Sequence, residues 1–186
     1  MNKNGFWDNI YKSKKIDAVS WYADRLDVSL ELVQENCKKK ETAIIDIGSG
    51  RSTLVDDLYA LGYQNLTLLD VSREAISQTL QRLEKLKIPI STICGDISTI
   101  TTQENLYDLW HDRAVFHFLT EASQRTVYIQ NLKRSLKKGG VAIVATFGPN
   151  GPDKCSGLNT LRYDAESLQA ELGNDFQILG SRIDYH

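Results

Sequence analysis

Short apolar runs alternate along the chain with segments of helical periodicity. The first run, Ala43-Ile44-Ile45, ends in Asp46, and the second, Leu66 to Leu69, ends in Asp70. Further apolar runs predict strands at 90–94, 107–110, 141–147 and 176–183. Helical spacing predicts helices at 29–37, 53–61, 72–83, 120–136 and 164–172, with Ser29 and Ser72 as N-caps and Gly62 and Gly173 as stops. The stretch 148–157, which contains glycine and proline, is predicted as a loop. Because strands and helices alternate, the pattern predicts an α/β fold with a doubly wound sheet of mainly parallel strands and helices on both faces.

Polar residues and glycines follow four of the predicted strands. Gly48 and Gly50 come after the first strand, where a sharp turn lets a ligand approach bare backbone. In open α/β sheets, ligands bind beyond the carboxyl ends of the strands, close to the point where strand order reverses. The residues expected at this edge are Asp46 to Gly50, Asp70, Gly95-Asp96 and His111-Asp112-Arg113. The sequence therefore predicts a ligand site built from several loops.

The acidic end of the first strand bears on the choice of cofactor. A dinucleotide site favours G-x-G-x-x-G, but the third glycine position holds Thr53. Asp46 would also place negative charge beside a pyrophosphate, whereas it suits the α-ammonium and sulfonium of S-adenosylmethionine (SAM). Asp70 would then bind the ribose hydroxyls and Asp96 the adenine amino group, with Ile97 against the ring. A nucleotide-dependent oxidoreductase remains the less favoured alternative.

Composition excludes several classes of protein. The chain has 186 residues and a net charge of -2, which argues against a nucleic-acid partner. Its apolar runs are strand-sized and its N-terminus lacks a signal-peptide core, so we expect no membrane span and a cytoplasmic location. The three cysteines form no CxxC pair, and the three histidines show no ligand spacing. We therefore expect neither a disulfide framework nor a metal site.

The sequence resembles a known family, the class I SAM-dependent methyltransferases, whose fold is Rossmann-like. The resemblance covers most of the chain. The motifs that carry the resemblance are Ile45-Asp46-Ile47-Gly48-Ser49-Gly50, Leu69-Asp70-Val71-Ser72, Gly95-Asp96-Ile97 and Leu136-Lys137-Lys138-Gly139-Gly140-Val141. The last of these motifs departs from the family pattern, because it has lysine where the stretch before the family's fifth strand usually has proline.

Three further segments narrow the resemblance to a bacterial subgroup whose substrates are mostly unassigned. They are Trp7-Asp8-Asn9-Ile10-Tyr11, Val19-Ser20-Trp21-Tyr22 and Asp108-Leu109-Trp110-His111-Asp112-Arg113. The first segment and Asp112-Arg113 also resemble eukaryotic protein-lysine methyltransferases. The resemblance implies SAM as methyl donor, S-adenosylhomocysteine (SAH) as product, and a small molecule or protein side chain as acceptor. The cofactor residues it implies are Trp21, Asp46, Gly48, Gly50, Asp70, Val71, Asp96, Ile97 and His111.

Methyl transfer from a sulfonium is an in-line displacement that needs alignment and exclusion of water more than covalent help. A general base matters only when the acceptor must lose a proton. His111 and Asp112 are the catalytic candidates, with His117 a further one. Each could have a structural role instead: Asp112 could pair with Arg113 to fix a loop, and His117 lies close to the start of a predicted helix. Cys155, in the loop after the fifth strand, is a weaker candidate for catalysis.

Other residues at the same edge have two interpretations each. Ser49 and Arg51 could react, but they are expected to shape the glycine turn instead. Trp21 and Tyr22 could cover the methionine part of the cofactor or pack on the sheet. The aromatic segment from Phe6 to Tyr22 could be a lid over the ligand or a flap packed on the domain.

The resemblance also sets expectations for the whole chain. We expect a single domain over 1–186, with an aromatic lid and helix in 1–40, a cofactor-binding core in 41–147, and a substrate-side loop, helix and last strand in 148–186. The family has seven strands, and the sequence offers a sixth at 176–183 but ends at His186 before a seventh, through truncation or a naturally short chain. A second functional class, a SAM-binding protein without transferase activity, stays open, as does the oligomeric state.

Overall fold

The computed structural model describes residues 3–19 and 21–184. Ser20 of the motif at 19–22 and the chain end at His186 lie outside the described residues, as do Met1, Asn2 and Tyr185. No helix in the described ranges is long and apolar enough to cross a membrane.

Five parallel strands form the central sheet in the order β3-β2-β1-β4-β5. The strands are β1 (Ile44–Ile47), β2 (Leu66–Asp70), β3 (Ser91–Cys94), β4 (Tyr107–Arg113) and β5 (Leu136–Ala145). The helices are α1 (Lys3–Ser13), α2 (Asp27–Asn36), α3 (Leu54–Ala60), α4 (Arg73–Lys85), α5 (Ala122–Ser135) and α6 (Ala165–Leu172), with 3-10 turns at Ile16–Ala18 and Phe116–Phe118. The predicted doubly wound α/β fold is confirmed. Strand order reverses between β1 and β4.

The two faces of the sheet carry two separate hydrophobic cores. Helices α2, α3 and α4 cover one face, which includes Ile44 and Leu109, and α5 and α6 cover the other, which includes Ile45 and Trp110. Successive residues of a strand point to opposite faces. His111, two residues after Leu109, therefore faces α2, whereas Asp112 faces α5.

Several local predictions hold in detail. Ser72 caps α4, and its hydroxyl accepts a hydrogen bond from the backbone N–H of Ala75 at 3.1 Å. Helix α6 follows an Asp164 cap and ends at Gly173, whose φ of +86° suits glycine. Helix α3 ends just before Gly62, as the sequence indicates.

The predicted capping role of Ser29 is wrong. Helix α2 begins two residues earlier, at Asp27, with Leu26 in the cap position. Ser29 lies in the first turn of the helix, and its side chain is buried, with only 8% of its surface exposed. Its hydroxyl contacts His111 of β4 instead of the helix backbone.

The segment 148–157, predicted as a plain loop, contains part of a small hairpin. Strand β6 (Lys154–Cys155) pairs antiparallel with β7 (Leu158–Asn159). Ser156 and Gly157 make the turn with φ angles of +50° and +80°, the left-handed pair that two-residue hairpin turns require. The helix predicted to extend to Leu136 ends at Ser135, where β5 begins.

The strand predicted at 176–183 is wrong. The segment has no strand hydrogen bonding in the described residues, and Leu179 and Ile183 are 71% and 82% exposed. A strand needs a neighbour to complete its ladder, and here the segment is held by side chains instead. Arg182 pairs with Glu31 and Glu35 of α2 at 2.8 and 2.5 Å.

Candidate cofactor site

The turn after β1 requires both of its glycines. Gly48 and Gly50 have φ angles of +65° and +53°. A Cβ at position 48 would overlap the Val115 side chain, and one at position 50 would lie 2.6 Å from the Tyr11 hydroxyl. Glycine adopts these φ angles without strain and fits where a side chain would not, so both glycines are needed for the sharp turn beyond β1.

Asp46 and His111 meet at the point where strand order reverses. They are register partners on β1 and β4 and face the same side of the sheet. Nδ1 of His111 lies 2.7 Å from Oδ1 of Asp46, and Nε2 lies 2.9 Å from the hydroxyl of Ser29 on α2. His111 is 1% exposed and Asp46 7% exposed. The result is a buried carboxylate whose position is fixed from behind by an imidazole.

A cavity of about 60 Å³ opens in front of this carboxylate. Its walls include Asp46, Gly48, Gly50, His111 and Trp21, so five of the predicted site residues are brought together. The hydroxyl of Ser49 also lies there, buried and without a hydrogen-bond partner among the described residues. An unpaired polar atom of this kind requires an explanation, and a ligand bound in the cavity would supply the missing partner.

Asp70 ends β2 and shapes the glycine turn from the adjacent strand. Its carboxylate accepts hydrogen bonds from the backbone N–H groups of Gly50 and Ser72, both at 2.7 Å. Burial raises the pKa of Asp70 to about 6, against the effect of those two donors. Asp70 does not line the cavity, but it lies directly behind the Gly50 backbone that does.

The residues predicted to bind adenine lie further along the sheet. Asp96 accepts hydrogen bonds from the backbone and hydroxyl of Ser98 at 2.9 and 2.7 Å, which forms a tight turn after β3. Ile97 is 2% exposed and packs in the core beside α5. Val71 is half-buried at the end of β2. None of these three lines the cavity.

Asp112 lies on the opposite face of the sheet from His111. It is fully buried, and it accepts hydrogen bonds from the Tyr128 hydroxyl at 2.6 Å and from the backbone N–H groups of Val115 and Phe116. Burial raises the pKa of Asp112 to about 6. This geometry separates the two catalytic candidates, because Asp112 anchors the turn after β4 and does not face the cavity.

Helix α1 covers the site from above. Arg51 donates hydrogen bonds to the backbone carbonyls of Tyr11, Lys14 and Lys15 at 3.1–3.3 Å, which caps the end of α1. At the other side, Asp8 accepts hydrogen bonds from the Ser72 hydroxyl at 2.6 Å and from the backbone of Glu74. The helix is therefore fastened both to the glycine turn and to the start of α4.

The remaining candidate residues differ in how they lie relative to the cavity. His117 is fully buried against Phe118 and Phe147, and burial lowers its pKa to about 4. Arg113 lines the cavity and donates to the backbone carbonyl of Trp21 at 3.0 Å. Cys155 lies in β6, away from the cavity walls. Tyr22 lines the cavity and donates to Asp24 at 2.6 Å.

Sequence reasoning gave no site role to Ser29, and it included Asp8 and Tyr11 only as members of a motif and, for Tyr11, of the aromatic segment. The contacts of all three reach residues far away in the chain, which local spacing does not indicate. Within the described ranges, no group of three or more His, Cys, Asp or Glu side chains is placed to hold a metal ion.

Comparison with known proteins identifies the family. Residues 44–140, more than half of the chain, match the family model described as "Methyltransferase domain". This range begins at β1 and includes the glycine turn, Asp70, Asp96 and the Asp46–His111 pair.

Among curated proteins, the chain is similar to the "eEF1A lysine and N-terminal methyltransferase homolog" of Drosophila melanogaster. The two are 23% identical over 141 residues, covering 73% of this chain and 21% of that protein. The chain thus spans about a fifth of that relative's length. It is also 21% identical to human "EEF1A lysine methyltransferase 2" over 155 residues, covering 75% of this chain and 65% of that protein.

Solved structures share the fold. One, reported as "Conversion of a Disulfide Bond into a Thioacetal Group during Echinomycin Biosynthesis", matches with a TM-score of 0.76 at 18% identity, covering 95% of this chain and 80% of that one. Phosphoethanolamine N-methyltransferase 1 of Haemonchus contortus, with phosphoethanolamine and SAH bound, matches with a TM-score of 0.64 at 17% identity, covering 87% of this chain and 35% of that one. The chain therefore belongs to the methyltransferase-domain family, and its core is that of a class I SAM-dependent methyltransferase.

Proposed function

We propose that this domain transfers the methyl group of SAM to a nucleophilic atom of a protein side chain or a small molecule. The observation that carries the proposal is the buried Asp46 carboxylate at the β1–β4 reversal point, held by His111 and facing a cavity beside a glycine turn. This position and charge suit the cationic amino-acid end of SAM.

The residues present fit SAM in chemistry. Asp46 would receive the α-ammonium, and the Ser49 hydroxyl would gain a partner it lacks among the described residues. Asp70 would accept the ribose hydroxyls, while Asp96 and Ile97, next to Val71, would meet the adenine. Trp21 would cover the methionine part. The cavity itself is smaller than the roughly 300–1,000 Å³ of ordinary ligand pockets, so we propose that α1 must lift to admit the cofactor.

Bound SAM supplies an electrophilic methyl group on a sulfonium. The protein's own part is to hold that group in line with the acceptor and to exclude water. Asp46, held by His111, would fix the donor, and α1 with its aromatic residues would close over it. Since both nitrogens of His111 are engaged in hydrogen bonds, we assign it to the cofactor side, and its predicted role as a general base requires one of those bonds to break.

The names of the fly and human relatives support a protein lysine as the first acceptor to test. Incubation of the protein and tritium-labelled SAM with a cell extract as the source of acceptors, followed by removal of unreacted SAM and separation of proteins from small molecules, tests both acceptor classes at once. Transferred label in either fraction that depends on Asp46 supports the proposal. Transferred label in neither fraction, from a protein that binds SAM, supports instead the SAM-binding alternative without transfer.

The affinity for SAH is expected to rise with pH between about 5 and 7. Burial raises the pKa of Asp70 to about 6, so the carboxylate that should accept the ribose hydroxyls ionises across this range. Titration calorimetry at several pH values should show this rise for the wild type. Asp70→Asn should bind more weakly at pH 7 and lose most of the rise. A wild-type affinity that falls with pH would contradict the assignment.

Replacement of Arg51 by Lys is expected to loosen α1. Lysine cannot reach all three carbonyls that Arg51 holds at the end of the helix. Hydrogen exchange of the α1 amides should accelerate by roughly tenfold, as expected for one lost charge-assisted hydrogen bond. Arg134→Lys, on the exposed side of α5, is the matched control and should leave α1 unchanged. Unchanged exchange in Arg51→Lys would show that other contacts hold the helix.

A further inference from the structure

Ser29 connects helix α2 to the cofactor site through His111. Its hydroxyl oxygen lies 2.9 Å from Nε2, and Nδ1 of the same ring lies 2.7 Å from Oδ1 of Asp46. The three side chains come from α2, β4 and β1, and none is more than 8% exposed. We propose that Ser29 is a positioning residue, which acts through His111 to hold the Asp46 carboxylate toward the cofactor. This inference rests on the function proposed above.

The chemistry of the three groups sets the direction of the hydrogen bonds. An ionised carboxylate only accepts, so Nδ1 of His111 must donate to Asp46. In the neutral ring Nε2 is then the acceptor, and the Ser29 hydroxyl is its donor. The carboxylate sets the tautomer in which His111 donates to Asp46, and the Ser29 hydroxyl holds the ring in place through its second nitrogen. Without the hydroxyl, Nε2 loses its partner and the ring is free to rotate away from the carboxylate.

The order of residues is that of a Ser-His-Asp relay, but the geometry argues against nucleophilic catalysis. Asp46 and His111 line the cavity, whereas Ser29 does not. The serine lies behind the imidazole in the first turn of α2, buried beside Leu30. A substrate in the cavity would meet the carboxylate first and the hydroxyl last. Ser29 therefore orients His111 and does not attack a substrate.

The consequence concerns one end of the cofactor only. His111 occupies Oδ1 of Asp46, and no described residue hydrogen-bonds Oδ2, which is left for the α-ammonium of SAM or SAH. The adenosine end lies against other residues. Loss of the Ser29 hydroxyl should therefore weaken ligands that carry the amino-acid end and spare 5′-methylthioadenosine, which has the adenosine and thioether without that end.

The test is to measure the affinities of SAH and 5′-methylthioadenosine for the wild type and Ser29→Ala by titration calorimetry. SAH affinity should fall about tenfold, the usual cost of leaving one buried polar atom unpaired, while methylthioadenosine affinity should stay within about twofold. Ser135→Ala is the matched control, because Ser135 is also buried but bonds Thr102 at the end of α5. It should leave the ratio of the two affinities unchanged.

A double-mutant cycle with His111→Asn adds a second test. The asparagine amide can still donate to Asp46 but cannot reach Ser29, so Ser29→Ala should have no further effect in that background. Equal weakening of both ligands by Ser29→Ala, or no weakening of either, would overturn the inference. If the wild type binds neither ligand, it is the proposed function that fails. If it binds both equally, the amino-acid end is not held by Asp46 and the inference fails.

Discussion

Asp46→Asn is expected to lower the affinity for SAH by about 100-fold, the upper range for loss of one buried charge-assisted hydrogen bond. The substitution keeps the shape of the side chain and removes the negative charge that should meet the α-ammonium. The amide oxygen can still accept the hydrogen bond from Nδ1 of His111, so the fold should survive. Calorimetry with SAH and thermal unfolding of the same sample measure the two effects separately.

Asp108→Asn is the matched control for this prediction. Asp108 lies near the start of β4, where it accepts from the backbone of Ala43 and pairs with Lys137, at the opposite end of the strand from His111. It should leave SAH affinity within about twofold, because screened surface charges contribute little. Equal SAH affinity in the wild type and Asp46→Asn would show that the Asp46 carboxylate does not bind the cofactor.

Asp112→Ala is expected to lower the free energy of unfolding by about 3–5 kcal/mol at pH 7. The substitution leaves the Tyr128 hydroxyl and the two backbone N–H groups of Val115 and Phe116 buried without their acceptor, and it opens a void. Denaturant unfolding at low temperature measures this loss. The stability loss should exceed that of Tyr128→Phe, which removes one hydroxyl of the same network.

The pH dependence of stability provides a second check on Asp112. Burial raises its folded-state pKa to about 6 from the ordinary 3.8, so between these values the folded protein holds a proton that the unfolded chain has released. Stability must therefore fall as pH rises through this window, by about 3 kcal/mol for this group. Asp112→Asn should remove that part of the fall and leave the part due to Asp70. An equal fall in both proteins would contradict the assignment.

The same variant separates the two roles considered for Asp112. If Asp112 only anchors the turn after β4, the folded fraction of Asp112→Asn should bind SAH with nearly wild-type affinity. Alternation along a strand already implies this separation, since adjacent residues cannot both face one side of a sheet. The sequence alone therefore carried enough information to assign His111 and Asp112 to different faces.

The parts of the site that could be predicted are those fixed by local requirements. Gly48 and Gly50 mark a turn that no side chain fits, and Asp46 and Asp70 follow directly from the ends of their strands. The hydrogen bonds from Ser29 to His111 and from Arg51 to α1 could not be predicted, because they join segments 82 and about 40 residues apart. Such contacts depend on how helices pack, which periodicity does not specify.

The prediction of a strand at 176–183 failed for the same reason, because it depends on contacts with distant parts of the chain. The segment carries apolar residues in a plausible strand pattern, but a strand forms only where another strand supplies hydrogen bonds. In the described residues its anchor is Arg182, clamped by Glu31 and Glu35 on α2. Helices α4 and α6 were predicted well for the opposite reason, since their caps, Ser72 and Asp164, act within one turn.

We expect this chain to hold the amino-acid and adenosine ends of SAM at the carboxyl edge of β1 and β2. Calorimetric titration of the full chain with SAM, SAH and NADH is the first experiment to perform. Both sulfur nucleotides should bind at a single site, and NADH should not bind. Absence of SAM and SAH binding to the folded protein up to about 1 mM, the upper end of typical KM values, or binding of NADH instead, would contradict this expectation.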